Sequence, residues 1–70
     1  MTIILTDHTK KRMVERAITF RHIQDTIEMP DYTVQKGKKT EAYKKFNEKR
    51  LKIVYAGKDK YIKVISVMWR

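Results

Sequence analysis

The sequence predicts an α+β domain in which two N-terminal helices pack on a four-stranded, mainly antiparallel sheet. Apolar residues recur at helical spacing before Pro30, whereas Tyr, Val, Ile and Phe cluster in short segments after it. Proline pushes the preceding residue out of helical geometry, so the helical part ends at this point. The later segments are joined by short links, and short links favour antiparallel hairpins.

Length and composition indicate a single domain over residues 1–70. A chain of 70 residues buries only about 60% of the surface that its unfolded form exposes, so its core must be thin. The chain contains no cysteine, which excludes disulfides and thiolate metal sites, and no apolar run near the roughly 20 residues that span a bilayer. We therefore expect a soluble, cytoplasmic protein.

The first predicted helix begins at the capping residues Thr6 and Asp7 and ends at about Ala17. A short apolar segment, Ile3–Leu5, leads into it. Its inner face is expected to hold Thr9, Met13, Ala17 and, at the margin, Val14.

The second predicted helix begins at the capping residue Thr19 and ends before Pro30. Ile18 precedes the cap and Ile23 follows it by four residues, which is the spacing of a hydrophobic staple. The buried stripe of this helix is expected to be Phe20, Ile23 and Ile27.

Four segments rich in β-branched and aromatic residues follow the helices. In the third segment Leu51, Ile53 and Tyr55 alternate with Lys52 and Val54, so one face of that strand is apolar. The predicted strands are Tyr32–Lys36, Thr40–Asn47, Arg50–Ala56 and Tyr61–Trp69.

The fourth segment shows little alternation, which indicates an inner strand. Ile62 and Val64 are expected on one face, and Ile65, Val67 and Trp69 on the other. Trp69 is expected to cap the core.

The positive charge lies almost entirely in the strand region. The net charge is +1 for residues 1–30, with five basic and four acidic residues, and +8 for residues 31–70, with twelve and four. Such a sheet suits a polyanion, because lysines neutralise phosphates and aromatic rings stack on bases. We expect RNA, DNA or an acidic protein as the partner, and the candidate nucleic-acid-binding residues are Lys36, Lys38, Lys39, Lys44, Lys45, Lys49, Arg50 and Arg70.

A second candidate site is the stripe of His8, Arg12 and Arg16, which lie four residues apart on the first helix. The positive end of the helix dipole favours a neutral His8, and a neutral imidazole can act as a base. Two arginines could hold a phosphate and stabilise the charge that develops on it. The alternative interpretation is a solvated polar face on which Arg12 pairs with Glu15.

The motif His8-x3-Arg12-Met13-x-Glu15-Arg16-x-Ile18 resembles the start of a family of small prokaryotic domains that are placed beside the RelE, ParE and BrnT toxins of toxin–antitoxin systems. Ile23, Pro30 and the endings Leu51-Lys-Ile-Val-Tyr55 and Val64-Ile-Ser-Val-Met-Trp69 extend the likeness over nearly the whole chain. The chain departs from the family at Ala17, where many members have Gly. Because Gly reaches left-handed conformations without steric cost, Ala17 predicts a different or slightly strained helix exit.

The resemblance to RelE implies a RelE-like fold and metal-independent RNA cleavage, in which a 2′-hydroxyl attacks the adjacent phosphate. The base would be His8 or a lysine, the cations Arg12, Arg16 and Lys52, and the acid Tyr55 or His8. The implied partners are RNA, free or on the ribosome, and an acidic antitoxin. ParE-like relatives show that the fold need not cleave RNA.

Two non-enzymatic interpretations explain the charge equally well. The sheet could bind nucleic acid without catalysis, or it could dock an acidic protein. His22 is expected to make a local helix-surface hydrogen bond beside Arg21 and Asp25. Two dispersed histidines and scattered carboxylates do not predict a metal site, and no cofactor is expected. The pattern leaves the oligomeric state open.

Overall fold

The computed structural model describes residues 2–57 and 60–70 and contains two helices and a five-stranded mixed sheet. The sheet order is β1-β5-β4-β3-β2. Strands β2 to β5 pair antiparallel with their neighbours in the chain, whereas β1 pairs parallel with β5. The elements are β1 Thr2–Leu5, α1 Asp7–Arg16, α2 Phe20–Glu28, β2 Tyr32–Lys36, β3 Lys39–Phe46, β4 Lys49–Ala56 and β5 Tyr61–Trp69.

The α+β class and the two helices are confirmed, whereas the prediction of four mainly antiparallel strands is wrong by one strand. The apolar segment before α1 is β1, which pairs Ile3 with Ile62 and Leu5 with Val64. The backbone N–H of Thr2 also donates to the carbonyl of Lys60 at 2.7 Å. Part of the predicted link Gly57–Lys60 lies outside the described residues.

Both helices cover the same face of the sheet, so the core is a single layer. Ile18, Ile23 and Ile27 from the helical region pack with buried residues of the sheet. The buried sheet residues of this core are Leu51, Ile53, Ile62, Val64 and Val67. Within residues 2–57 and 60–70 no helix lies on the opposite face, which we call the open face.

Three residues that were expected on the buried faces of the helices, Val14, Ala17 and Phe20, are exposed. Val14 is 84% exposed, and Phe20, the first residue of α2, is 46% exposed. Thr9 was also predicted on the inner face of α1 and is buried there, where its hydroxyl donates to the carbonyl of Val64 at 3.2 Å. A single sheet face gives short helices only a narrow stripe of contact, so marginal apolar positions remain in solvent.

The alternation of β5 also differs from the prediction. Val67 and Trp69 lie on the same face as Val64, because the register against β4 shifts between Val54 and Tyr55. This β-bulge inserts Ile65 into β5 and resets the alternation. The strand is an inner one, as the sequence predicted.

Thr19 caps the start of α2, as the sequence predicted, but the role of His22 in this cap was not predicted. The hydroxyl of Thr19 accepts from the N–H of His22 at 3.1 Å, and His22 Nδ1 accepts from the N–H of Thr19 at 3.0 Å. His22 therefore completes a capping box instead of bonding Asp25, which pairs with Arg21 at 3.2 Å. The ring of His22 also makes edge contacts with the side chains of Phe46 and Trp69.

Within the described ranges, no helix has the length and apolar character needed to cross a membrane.

Candidate nucleic-acid interface

The open face carries a stacked pair of tyrosines on its two outermost antiparallel strands. Tyr32 and Tyr43 are cross-strand partners with ring centroids 4.6 Å apart and planes 13° apart. Tyr43 is buried, whereas Tyr32 is 45% exposed and offers a ring to solvent. Asp31 fixes the start of β2, because its N–H donates to the carbonyl of Tyr43 and its carboxylate accepts from the N–H of Lys45. We call Tyr32 and Tyr43 the tyrosine pair.

Cations lie over both rings of the tyrosine pair. The guanidinium of Arg50 is 5.7 Å from the centroid of Tyr32, and Lys52 Nζ is 5.9 Å from that of Tyr43. Both distances fall within the range of cation–π attraction. The exposed ring of Tyr32 therefore lies next to the positive charge of Arg50, which could also contact a phosphate.

A carboxylate, that of Glu41, lies beside the tyrosine pair, and a neighbouring lysine neutralises its charge. Glu41 accepts from the hydroxyl of Tyr43 at 3.0 Å and lies 3.6 Å from Lys52 Nζ. Burial raises the pKa of Glu41, but the hydrogen bond from Tyr43 and the charges of Lys52 and Lys36 outweigh it, so the pKa lies below its usual value. Glu41 is thus ionised at neutral pH and paired.

A row of cations crosses three strands next to the tyrosine pair. Lys45 faces Arg50 in the register of β3 and β4. The backbones of Arg50 and Arg70 exchange two hydrogen bonds, at 3.4 and 2.7 Å, and strand alternation places Arg70 on the same face as Arg50. Like charges directly opposite each other destabilise a sheet. We call Lys45, Arg50 and Arg70 the first cationic row.

A second row of cations lies towards the other end of the open face. Lys36 faces Lys39, Lys39 faces Ala56, and Ala56 faces Lys63. All three lysines are exposed. We call Lys36, Lys39 and Lys63 the second cationic row.

The structure divides the predicted binding residues between the two faces. Lys44 and Lys49 point to the helix side, where Lys44 Nζ donates to the carbonyl of Met29 at 2.8 Å and Lys49 Nζ lies 5.7 Å from the centroid of Trp69. Lys38 lies in the turn between β2 and β3. Neighbouring residues of a strand point to opposite faces, so lysines that are adjacent in sequence cannot all lie on the same face of the sheet.

Sequence reasoning did not single out Tyr32 as a stacking platform and did not include Lys63. The alternation of Lys63 with the buried residues Ile62 and Val64 was the available signal for its orientation. For Tyr32 the signal was missing, because its exposure depends on the position of β2 at the sheet edge.

Two of the three residues of the predicted stripe on α1 make contacts within the protein. Arg12 pairs with Glu15 at 2.7 Å, which confirms the alternative interpretation for that residue, and this hydrogen bond lowers the pKa of Glu15. Arg16 donates to the carbonyl of Val67 at 2.6 Å, beyond the point where pairing with β1 ends. His8 is exposed in the first turn of α1.

The five candidate catalytic residues do not share one groove. Lys52 lies on the open face, where it contacts Glu41 and Tyr43, whereas His8, Arg12 and Arg16 lie on the helix that covers the other face. Tyr55 points to the helix side and packs against the core. The sheet therefore separates Lys52 from the other four residues.

Comparison with known proteins identifies the family without assigning an activity. No curated protein and no solved structure matches the chain. The family match covers residues 5–69 and so includes both helices, β2 to β5 and the residues of the open face on them. The chain belongs to the DUF4258 family, a domain of unknown function.

Proposed function

We propose that this domain binds single-stranded RNA on its open face. The observation that carries the proposal is the first cationic row, in which Lys45, Arg50 and Arg70 lie side by side next to the exposed ring of Tyr32. Such a row costs stability through like-charge repulsion, and a polyanion would relieve that cost. Aromatic rings beside cations are the usual surface for single strands, because every base has a face that can stack.

The tyrosine pair favours an unpaired strand over a duplex. A duplex keeps its bases stacked inside, whereas a single strand can place a base on Tyr32 while its phosphates contact the first cationic row. Unpaired segments are the common targets of RNA-binding proteins, which favours RNA as the ligand. An acidic protein would use the charge of the row but would have less use for the exposed ring.

Fluorescence anisotropy with a labelled oligouridylate dodecanucleotide tests the proposal. If the three cations of the first cationic row each neutralise one phosphate, they should contribute about −2 to the slope of log K against log salt. The variant Lys45→Gln/Arg50→Gln should bind at least about tenfold more weakly and with a smaller slope. The matched control, Lys10→Gln/Lys11→Gln, removes the same charge from exposed positions of α1 and should retain binding.

Three results would contradict the proposal. Equal weakening by the control pair would show that net charge alone attracts RNA. Displacement of the RNA by polyglutamate of the same charge would support an acidic-protein partner. Tighter binding of an oligodeoxythymidylate of the same length would identify DNA as the ligand.

We also propose, as a second function, the RelE-like ribonuclease toxin that the resemblance implies, held inactive in the cytoplasm by an acidic antitoxin. Its support is the exposed His8 at the start of α1, close in sequence to Arg12. The geometry supports it less well, because Arg12 and Arg16 are engaged and Lys52 lies across the sheet.

Induced expression in a bacterium tests this second function. A toxin should arrest growth, co-expression of a neighbouring acidic protein should restore it, and His8→Ala should abolish the arrest. Normal growth at high expression would contradict it.

A further inference from the structure

We infer that the open face binds one RNA strand across both cationic rows, so that the strand runs along the β-strands and not across them. This inference rests on the proposed function and adds the direction and length of the bound segment. It starts from the second cationic row, Lys36, Lys39 and Lys63, which RNA binding at the first row alone does not use.

The two rows lie at opposite ends of the open face. On β3, Lys45 belongs to the first row and Lys39 to the second, and they are six residues apart. At a rise of about 3.3 Å per residue this separation is roughly 20 Å. Both rows repeat the same like-charge arrangement, Lys45 opposite Arg50 in one and Lys36 opposite Lys39 in the other. The repeated arrangement indicates two places for phosphates.

The surface between the rows suits bases better than phosphates. It begins with the tyrosine pair and continues with the cross-strand set of Val34, Glu41, Val54 and Ser66. Glu41 is the one carboxylate among the described residues of this middle region, and it is paired with Lys52. Beyond the second row, Tyr61 is 62% exposed on the same face and offers a further ring. Charged ends and an aromatic, mostly uncharged middle fit a strand that lies lengthwise.

The separation of the rows sets the length of the ligand. A stacked strand rises by about 3.4 Å per nucleotide, so roughly six nucleotides span the rows, and fewer are needed where bases unstack. The Debye length at physiological salt is about 8 Å, so a ligand bound at one row is largely screened from the other. A dinucleotide should therefore gain from a single row, whereas a hexanucleotide should gain from both.

A length series of labelled oligouridylates tests the inference by anisotropy at physiological salt. Affinity should rise at least about tenfold from the dinucleotide to the hexanucleotide, because the second row adds its contacts within the same complex. It should rise little further for the dodecanucleotide. The variant Lys36→Gln/Lys39→Gln should reduce hexanucleotide affinity to near that of the dinucleotide, and should reduce dinucleotide affinity far less, because the first cationic row still binds the dinucleotide.

The control and the contradicting results separate this inference from the proposed function. Lys10→Gln/Lys11→Gln removes the same charge from α1 and should preserve the length dependence. Equal affinity for all lengths, or a Lys36→Gln/Lys39→Gln variant that keeps the length dependence, would overturn the lengthwise strand while leaving RNA binding in place. Tighter binding of a hexamer duplex would also overturn it. A failure of every oligonucleotide to bind would overturn the proposed function itself.

Discussion

Ala17 holds the end of α1 in a strained backbone conformation. Its φ of 54° and ψ of 44° place it in the left-handed region, which side chains with a Cβ rarely adopt. The N–H of Ala17 donates to the carbonyl of Val14, and the N–H of Ile18 donates to that of Met13, which together form a Schellman motif. The sequence left a different or a strained exit open, and the structure shows the strained one.

Replacing Ala17 with Gly should stabilise the protein. A left-handed Ala costs about 1–2 kcal/mol, and Gly removes this strain. Gly also increases the conformational entropy of the unfolded state, which offsets part of the benefit. We therefore expect Ala17→Gly to raise the free energy of unfolding by about 1 kcal/mol. The melting temperature should rise by about 4–8 °C. Lys11→Gly, within the same helix, should instead destabilise by about 1 kcal/mol. Equal losses in both variants would contradict the strained exit.

Glu41 should make stability depend on pH in the acid range. Its pKa is lowered in the folded state, so the folded state binds fewer protons than the unfolded state. The contribution is complete above the unfolded-state pKa of about 4.3 and is lost as the pH falls through the lower folded-state pKa. Urea unfolding should show the gap between the original protein and Glu41→Gln shrinking from neutral to acid pH. A gap independent of pH would contradict the role of the ionised carboxylate.

At the scale of elements, His22 connects the start of α2 to the end of the sheet. It completes the capping box with Thr19 and contacts Phe46 and Trp69. Loss of a cap costs about 1 kcal/mol, and the lost ring contacts add to that. We expect His22→Ala to destabilise the protein by about 1–2 kcal/mol, measured by urea unfolding with the fluorescence of Trp69, the single tryptophan.

The variant His22→Gln separates the two contributions. Gln can complete a capping box but cannot replace the ring contacts, so it should recover part of the loss. An unchanged stability of His22→Ala would show that neither contact matters.

The first cationic row should show a trade between stability and binding. Lys45→Glu places opposite charges across β3 and β4, so we expect a gain of a few tenths to about 1 kcal/mol in the free energy of unfolding. The same change should weaken RNA binding more than any neutral substitution there. Lys10→Glu makes an equal charge change on α1 and should leave binding nearly unchanged. Lower stability of Lys45→Glu would contradict the repulsion in the row.

Local pattern predicted most elements and their bounds. Strands β2 to β5 lie within a residue or so of their predicted limits, because period and turn residues are local properties. Strand β1 was missed because it pairs with the last strand of the chain, and such a distant pairing leaves no local signal. The bulge at Ile65 was missed for the same reason, since only the partner strand defines a shift of register.

The candidate site was less predictable than the fold. Composition alone identified the lysines. It does not show which face of the sheet each lysine lies on, because neighbouring residues such as Lys44 and Lys45 point to opposite faces. The sequence could not show that α1 and Lys52 lie on opposite faces of the sheet, because this depends on how the helices pack on the complete sheet. Sequence spacing therefore grouped residues that the fold separates.

At the scale of the whole molecule, the two faces of the sheet differ in composition and in cover. The helices close one face of a thin core, and Arg16 and Trp69 fasten α1 to β5 through hydrogen bonds of 2.6 and 2.7 Å. The other face carries both cationic rows and the tyrosine pair. The charge asymmetry of the sequence thus corresponds to a division between the helical layer and the face on which we propose that RNA binds.

Backbone amide NMR during titration with a hexauridylate would locate the RNA-binding residues on the protein. We expect shift changes to concentrate at Tyr32, Arg50 and Lys63 and their neighbours on the sheet, and His8 and Arg12 on α1 to change little. Changes concentrated on α1, or no changes at RNA concentrations that saturate binding, would contradict the assignment of RNA binding to the open face.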